Sequence, residues 1–312
     1  MKTQIIAFVL GVLAASLVFG QTEETVILKT ESGAIEGTLT MPEAKLPVPV
    51  ALIIAGSGPT DRNGNNQMMT NNSLKMLAEG LAKNGIASLR YDKRAIGASK
   101  NAGVNEADLR FEIYIKDAVD WIQLLSQNKN ISQVTVIGHS EGSLIGMVAS
   151  QNQGVAKFVS IAGAGQSADK ILREQLKTQP SAVLDQFNPI LDELVKGNTV
   201  ENVPQMLFSL FRPSVQPYMI SWIKYDPQIE IAKLNKPILI VQGTTDIQVS
   251  VEDAKQIQSA KPEAKMVIIE GMNHIFKNAE ADRMKNIQTY SQPDLQLHDK
   301  LVPAISEFIL NK

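Results

Sequence analysis

Five residues constrain this chain more than any other stretch. Gly138-His139-Ser140-Glu141-Gly142 follows the apolar run Val134–Ile137 and opens the mostly apolar segment Glu141–Ser150. The run has the length and branching of a buried strand, and the segment after it reads as a helix. A strand that turns directly into a helix needs glycine on both sides of the turn, because a Cβ there meets backbone. Such a turn presents Ser140 outward, at the carboxyl end of a sheet and at a helix N-terminus. The pattern G-x-S-x-G alone is common. Its placement between strand and helix makes Ser140 a candidate nucleophile, with a serine in an ordinary βα turn as the alternative.

The same alternation runs along the chain. Thr25–Glu31 and Ala34–Met41 alternate around Ser32-Gly33 and predict a hairpin, and Pro42–Pro49 reads as a linker. Val50–Ala55, Ile86–Tyr91, Val155–Ala162, Pro237–Val241 and Lys265–Ile269 read as strands. Ser73–Lys83, with Ser73 as cap and Asn84-Gly85 as stop, reads as a helix, as do Asp108–Gln127, Val251–Ala260 and Leu301–Leu310. This order predicts an α/β fold, a mostly parallel sheet flanked by helices. The alternation breaks over Gln166–Tyr225, which is strandless and carries several prolines. That stretch is expected to be a helical insertion on the sheet without a core of its own. The expected organisation is an export signal over 1–20, a hairpin and linker over 21–47, the first part of the core over 48–165, the insertion over 166–225 and the second part of the core over 226–312.

The export signal rests on Lys2, the unbroken apolar or small run Ile5–Phe19, and Val18 and Gly20 before a cut at Gln21. The run is shorter than the roughly 18 residues of a spanning helix, so cleavage is expected, with no stable membrane insertion afterwards. The mature protein is expected to be secreted or periplasmic. The chain has no cysteine, which removes a lipoprotein anchor, disulfides, thiolate metal sites and a thiol nucleophile. A formal charge of −2 and 5% aromatics argue against a nucleic-acid partner. There is no phosphate-binding loop, dinucleotide fingerprint or zinc-protease motif.

A serine hydroxyl needs a base, and the sequence offers three histidines. His139 sits beside Ser140 on the turn and is expected to face away from it. His298 lies in the polar stretch Asp294–Lys300 and reads as a surface residue. His274, in the loop after the strand Lys265–Ile269, arrives at the same sheet edge as Ser140 and is the candidate base. An orienting carboxylate is expected from Asp246, in the Gly243-Thr244-Thr245-Asp246 turn off the strand Pro237–Val241. Asp253 is the nearest rival but falls in the following helix. The order Ser140, Asp246, His274 is that of the strand-turn-helix hydrolases. The Glu141 N–H is one expected oxyanion donor, and the Ser57 N–H in Ala55-Gly56-Ser57-Gly58-Pro59 the other. Asp61–Asn66 has a superficial likeness to a calcium loop, but its glycine is misplaced and no closing glutamate follows. No metal or cofactor is expected.

These motifs, with Gly56-Ser57-Gly58-Pro59-Thr60-Asp61-Arg62 and Tyr91-Asp92-Lys93-Arg94-Ala95-Ile96-Gly97-Ala98-Ser99, resemble the α/β-hydrolase superfamily. Within it the chain is most similar to small exported bacterial esterases grouped with the serine aminopeptidase-like hydrolases. The likeness spans about 50–312. Two departures stand out: Gly-Ser-Gly-Pro replaces the usual His-Gly loop, and Ala95 replaces a glycine of Asp-x-Arg-Gly-x-Gly. The resemblance implies that Gln166–Tyr225 caps the active site.

The expected activity is hydrolysis of a small carboxylic ester through an acyl-enzyme. Met206, Leu207, Phe208, Leu210 and Phe211 are candidates for an acyl pocket, or else pack the insertion against the core. An aminopeptidase or acyl-peptide hydrolase with the same residues is the alternative. It needs an acidic anchor for an ammonium group, for which Asp185, Asp192 and Glu193 are available. A perhydrolase and a non-catalytic binding protein on the same fold also stay open.

Overall fold

The structure, a computed structural model, describes residues 21–311. The expected export signal, Met1–Gly20, lies outside the described residues. The strands are β1 (Thr22–Thr30), β2 (Gly33–Met41), β3 (Val48–Ile54), β4 (Ala87–Tyr91), β5 (Ile131–His139), β6 (Val155–Ile161), β7 (Ile238–Gly243) and β8 (Lys265–Ile269). They form one sheet in the order β1-β2-β4-β3-β5-β6-β7-β8. β1 with β2 and β2 with β4 are antiparallel, and every later pair is parallel.

The apolar runs are continuous because both faces of the sheet are covered. On β3, Val50, Leu52 and Ile54 enter one core while Ala51, Ile53 and the following Ala55 enter the other. The first face carries α2 (Phe111–Ser126), α3 (Glu141–Ala149), α8 (Pro227–Ala232) and α9 (Val251–Ala260), through Phe111, Trp121, Ile145, Ile231 and Ile257. The second is closed by α1 (Ser73–Lys83) and α11 (Leu301–Leu310), through Leu74, Leu77, Leu81, Ile305 and Ile309. A short helix that the sequence did not announce, α10 (Arg283–Gln288), precedes α11.

Between β6 and α8 lie α4 (Ala168–Leu176), α5 (Ser181–Val195), α6 (Phe208–Phe211) and α7 (Gln216–Ile223). Their Phe187, Leu191, Phe211 and Met219 join the same apolar cluster as Val50 and Leu52, so this segment shares the core of the sheet.

Two local expectations need correction. The linker is shorter than Pro42–Pro49, because Val48 and Pro49 are already in β3. Pro49 has no N–H to give, and the register against β5 shifts at Val48/Pro49, where a strand tolerates a proline. The cap of α1 is Asn72 in a left-handed conformation, not Ser73. Asparagine adopts that conformation at less cost than most residues.

Candidate active site

β5 passes into α3 at Ser140, whose φ is 55° and ψ −122°. A non-glycine residue in so sparsely populated a region costs about 1–3 kcal/mol. The flanking glycines are there because backbone lies against them. A Cβ on Gly138 would stand 2.2 Å from the Gly142 carbonyl oxygen. One on Gly142 would stand 2.4 Å from that of Ile54 and 2.6 Å from that of Ala55. The Ser140 N–H donates to the Ile161 carbonyl at 3.0 Å, which ties the turn to β6.

Asp246, after β7, and His274, after β8, meet two and three strands from the elbow. His274 Nδ1 lies 2.8 Å from Asp246 Oδ2, with both side chains buried. Asp246 Oδ1 accepts the N–H groups of Gln248 at 2.8 Å and Val249 at 3.0 Å, and Gln242 Nε2 donates to Oδ2 at 3.1 Å. Burial pushes this carboxyl up, but the His274 ring and the two N–H donors outweigh burial and leave it below its ordinary value. An ionised carboxylate facing Nδ1 holds the proton there and leaves Nε2 as the free acceptor. The two loops come together at Gly243, where a Cβ would fall 1.9 Å from the Met272 carbonyl oxygen. Asn273 steadies the histidine loop through Lys277 N–H, Asn286 and Thr289. The rival Asp253 is consumed as part of the Ser250–Asp253 capping box of α9.

His139 is neutral and pinned. Its Nε2 donates to the His274 carbonyl at 2.9 Å, and the two rings are 4.8 Å apart. Burial, with the nearby His274, pushes it down to about 3. It cannot serve as the base. It does bring the His274 loop against the elbow. No hydrogen bond joins the Ser140 hydroxyl to His274 among the described residues. His298 is buried, not superficial: its N–H donates to the Phe276 carbonyl at 2.7 Å, under the histidine loop.

Ser57 and Glu141 line one cavity with Ser140. Gly56 stands beside the elbow, and a Cβ on it would be 3.1 Å from that of Ser140. The following loop is polar and self-satisfied. Asp61 Oδ1 accepts the N–H groups of Asn63 and Asn65, each at 2.8 Å, and Arg62 binds Asp92 at 2.8 Å and Glu36 at 2.7 Å. Among the described residues, no group of three or more His, Cys, Asp or Glu is placed to hold a metal ion.

The cavity has a volume of about 640 Å³. Leu172, Leu210, Val215, Met219 and Trp222 from the inserted segment face Ile96, Leu109 and Leu144 across it. Of the apolar residues the sequence nominated, Leu210 alone lines it. Met206 and Phe208 are exposed, and Leu207 and Phe211 are buried in packing. Among the described residues, the only carboxylates lining it are Glu106, paired with Arg212, and Glu141, paired with Lys93 at 3.2 Å. Asp185, Asp192 and Glu193 are not among its lining residues, and the last two pair with Arg173 and Lys196. Lys93 is a residue that sequence reasoning missed. The sequence shows only that Asp92-Lys93-Arg94 puts three charges directly after a strand; the structure buries all three.

A family described as "Serine aminopeptidase, S33" matches residues 69–280. Esterase EstD of Thermotoga maritima is 27% identical over 251 residues, 79% of this chain, and the chain spans 59% of the length of that curated relative. Est1E from Butyrivibrio proteoclasticus superposes with a TM-score of 0.61 at 17% identity, over 92% of this chain and 99% of its own. A structure of Est1E with ferulic acid bound gives 0.62 at 17% identity, over 91% and 96%. The esterase Pf2001 of Pyrococcus furiosus gives 0.55 at 15% identity, over 92% and 91%. These likenesses, with the strand order, show the α/β-hydrolase fold.

Proposed function

The chain belongs to the serine aminopeptidase family of hydrolases, and on that premise we propose that it cleaves small, neutral carboxylic esters with Ser140, His274 and Asp246. One observation carries the reading. A strained serine lines a largely apolar cavity, and its neighbour His139 bonds to the loop that carries a buried carboxylate–imidazole pair. Strain of that kind clusters at active sites.

The chemistry follows from the placement. Ser140 Oγ attacks the ester carbonyl carbon as its proton passes to His274 Nε2, and the carbonyl electron pair moves onto oxygen. The Ser57 and Glu141 N–H groups receive that oxyanion. Its collapse expels the alcohol, which takes the proton from His274, and leaves an acyl group on Ser140. Water then attacks with His274 as base. The second collapse releases the acid and returns the proton to Ser140. Asp246 holds the imidazole tautomer and stabilises the imidazolium. The missing Ser140–His274 hydrogen bond is expected to close when substrate is bound, as such contacts often tighten only in the complex.

The paired state of Glu106 and Glu141 favours esters over aminoacyl substrates. A free α-ammonium group needs an unpaired carboxylate, and the cavity lining supplies none among the described residues. The apolar inserted segment, read as a cap over the site, suits an acyl group of modest size. An aromatic acyl group is part of the panel to test, since a structural neighbour carries ferulic acid. A non-catalytic binding role leaves the strain at Ser140 without a purpose. Export through Met1–Gly20 belongs to the same proposal.

The test combines labelling and turnover. The wild type is expected to react with a fluorophosphonate probe and Ser140→Ala is not. Short p-nitrophenyl esters and feruloyl esters are expected to turn over, and aminoacyl amides are not. A wild type that does not label removes the enzyme reading, and faster release of amines than of alcohols moves it to a peptidase. Mass spectrometry of the mature N-terminus is expected to find Gln21.

A further inference from the structure

The two expected oxyanion donors are tethered by one buried cation. Lys93 follows β4, and its side chain is almost fully buried. Its ammonium donates to the Gly56 carbonyl at 2.6 Å and to the Glu141 carboxylate at 3.2 Å, and it lies 5.1 Å from the centre of the Tyr114 ring. The Glu141 carboxylate takes a further hydrogen bond from Tyr218 of α7. A buried ion pair is weak evidence for stability, since desolvation offsets much of its attraction. Its geometry is the better guide to what it does.

The Gly56 carbonyl and the Ser57 N–H belong to one trans peptide plane, in which C=O and N–H point in opposite directions. Fixing the oxygen toward Lys93 therefore fixes the N–H on the other side. The Ser57 N–H has no acceptor among the described residues, and Ser57 lines the cavity with Ser140. Glycine at 56 leaves this peptide free to rotate if nothing holds it. The same ammonium holds the side chain of Glu141, whose N–H is the other donor.

We infer that Lys93 is a positioning residue for the oxyanion hole: by holding the Gly56 carbonyl it sets the direction of the Ser57 N–H, and through Glu141 it ties that peptide to the elbow. This rests on the ester-hydrolase reading above. Lys93 touches neither substrate nor reacting atoms in this role.

Lys93→Met keeps the unbranched stem as far as Cε and removes the donors. Loss of one oxyanion donor costs about 10²–10³-fold in rate, so kcat is expected to fall about 10²-fold while KM moves less than about threefold. Inhibition by a trifluoromethyl ketone, which forms a tetrahedral oxyanion on serine, is expected to weaken in step with kcat/KM. The single variant leaves Glu141 without its cation, so Lys93→Met/Glu141→Gln is the companion. It balances the charge, leaves Tyr218 an acceptor, and is expected to fold yet stay as slow as the single variant. A kcat within about threefold of wild type for the single variant, a loss confined to KM, or recovery of kcat in the double variant overturns the inference. The two levels of the proposal separate cleanly. A wild type that fails to label with fluorophosphonate brings down the hydrolase reading. A wild type that labels, with a Lys93→Met that labels equally fast, brings down this inference alone.

Discussion

The elbow side of the cavity and the inserted side are built in different ways. Five non-glycine residues have positive φ among the described residues: Asn72, Ala95, Ser140, Ala162 and Phe276. The last four follow the carboxyl ends of β4, β5, β6 and β8, and none lies in 166–225. At Gly138, Gly142 and Gly243 a methyl group would meet backbone at 2.6 Å or less. The turns at Gly138, Gly142 and Gly243 are therefore held by chain against chain, where little can yield. The inserted side is held by side chains. Trp222 stacks on Phe111 at 6.3 Å, and Arg212 reaches Glu106. Side chains can repack and backbone cannot, so the first side should respond to change abruptly and the second gradually.

The sharpest break is Ser140→Gly. It is expected to lower kcat by about 10⁴-fold or more, as loss of a serine nucleophile does. The same change removes strain of about 1–3 kcal/mol, partly offset by the greater freedom of glycine in the unfolded chain. The urea midpoint is therefore expected to rise while turnover disappears. A midpoint that falls would mean that the elbow is not strained, and the contrast between the two sides would lose its basis.

The dryness of the elbow side can be tested by acid. His139 takes a proton only near pH 3 when folded, whereas an ordinary histidine in the unfolded chain does so near 6.5. Below about pH 6.5 the unfolded state binds a proton that the folded state refuses. The contribution is complete above that pH and is lost progressively as pH falls toward 3. Between pH 7 and 4.5 this group should cost the wild type about 2–3 kcal/mol. His139→Gln keeps a donor for the His274 carbonyl and does not titrate. Urea unfolding at the two pH values is expected to show a smaller drop for this variant. Parallel drops would place water around His139.

This contrast also explains what could be read in advance. The placement of Ser140, Asp246 and His274 after β5, β7 and β8 was legible because each follows an apolar run that reads as a strand, and the elbow advertises itself by paired glycines. The matching bounds of α1, α9, β8 and α11 have the same origin, in local periodicity and caps. The burial of His298 was not legible, since it depends on the Phe276 carbonyl reaching across from another loop. The acyl-side residues were misjudged for a related reason. Counting helical faces through Met206–Phe211 fails where the chain is a short 3₁₀ turn followed by a four-residue helix. Lys93 was passed over because charge after a strand usually means solvent, and here its partners come from two distant segments.

On the inserted side the effect should be graded. Trp222→Ala opens the cavity wall away from the elbow. It is expected to shift the kcat/KM ratio between long and short acyl esters by about tenfold toward the longer, the scale of one or two methylenes in an apolar pocket. Turnover of acetyl esters should change far less. A collapse of kcat for every chain length would show that this wall also aligns the reacting groups, and the division between the two sides would be wrong.

Ala95→Gly separates strain that serves chemistry from strain that does not. Ala95 has φ of 63°, so the turn after β4 holds alanine in a backbone that glycine adopts more readily. A left-handed conformation costs a non-glycine residue about 1–2 kcal/mol, and the added freedom of glycine in the unfolded chain returns about 0.4–1 kcal/mol of that. A net gain of about 0.5–1 kcal/mol is expected, read as a higher urea midpoint at constant slope. Ser140→Gly and Ala95→Gly thus relax the same kind of backbone and should diverge in turnover: lost in the first, kept within about threefold in the second. Loss of activity in Ala95→Gly would instead place this turn, which carries Lys93 two residues earlier, under the same functional constraint as the elbow.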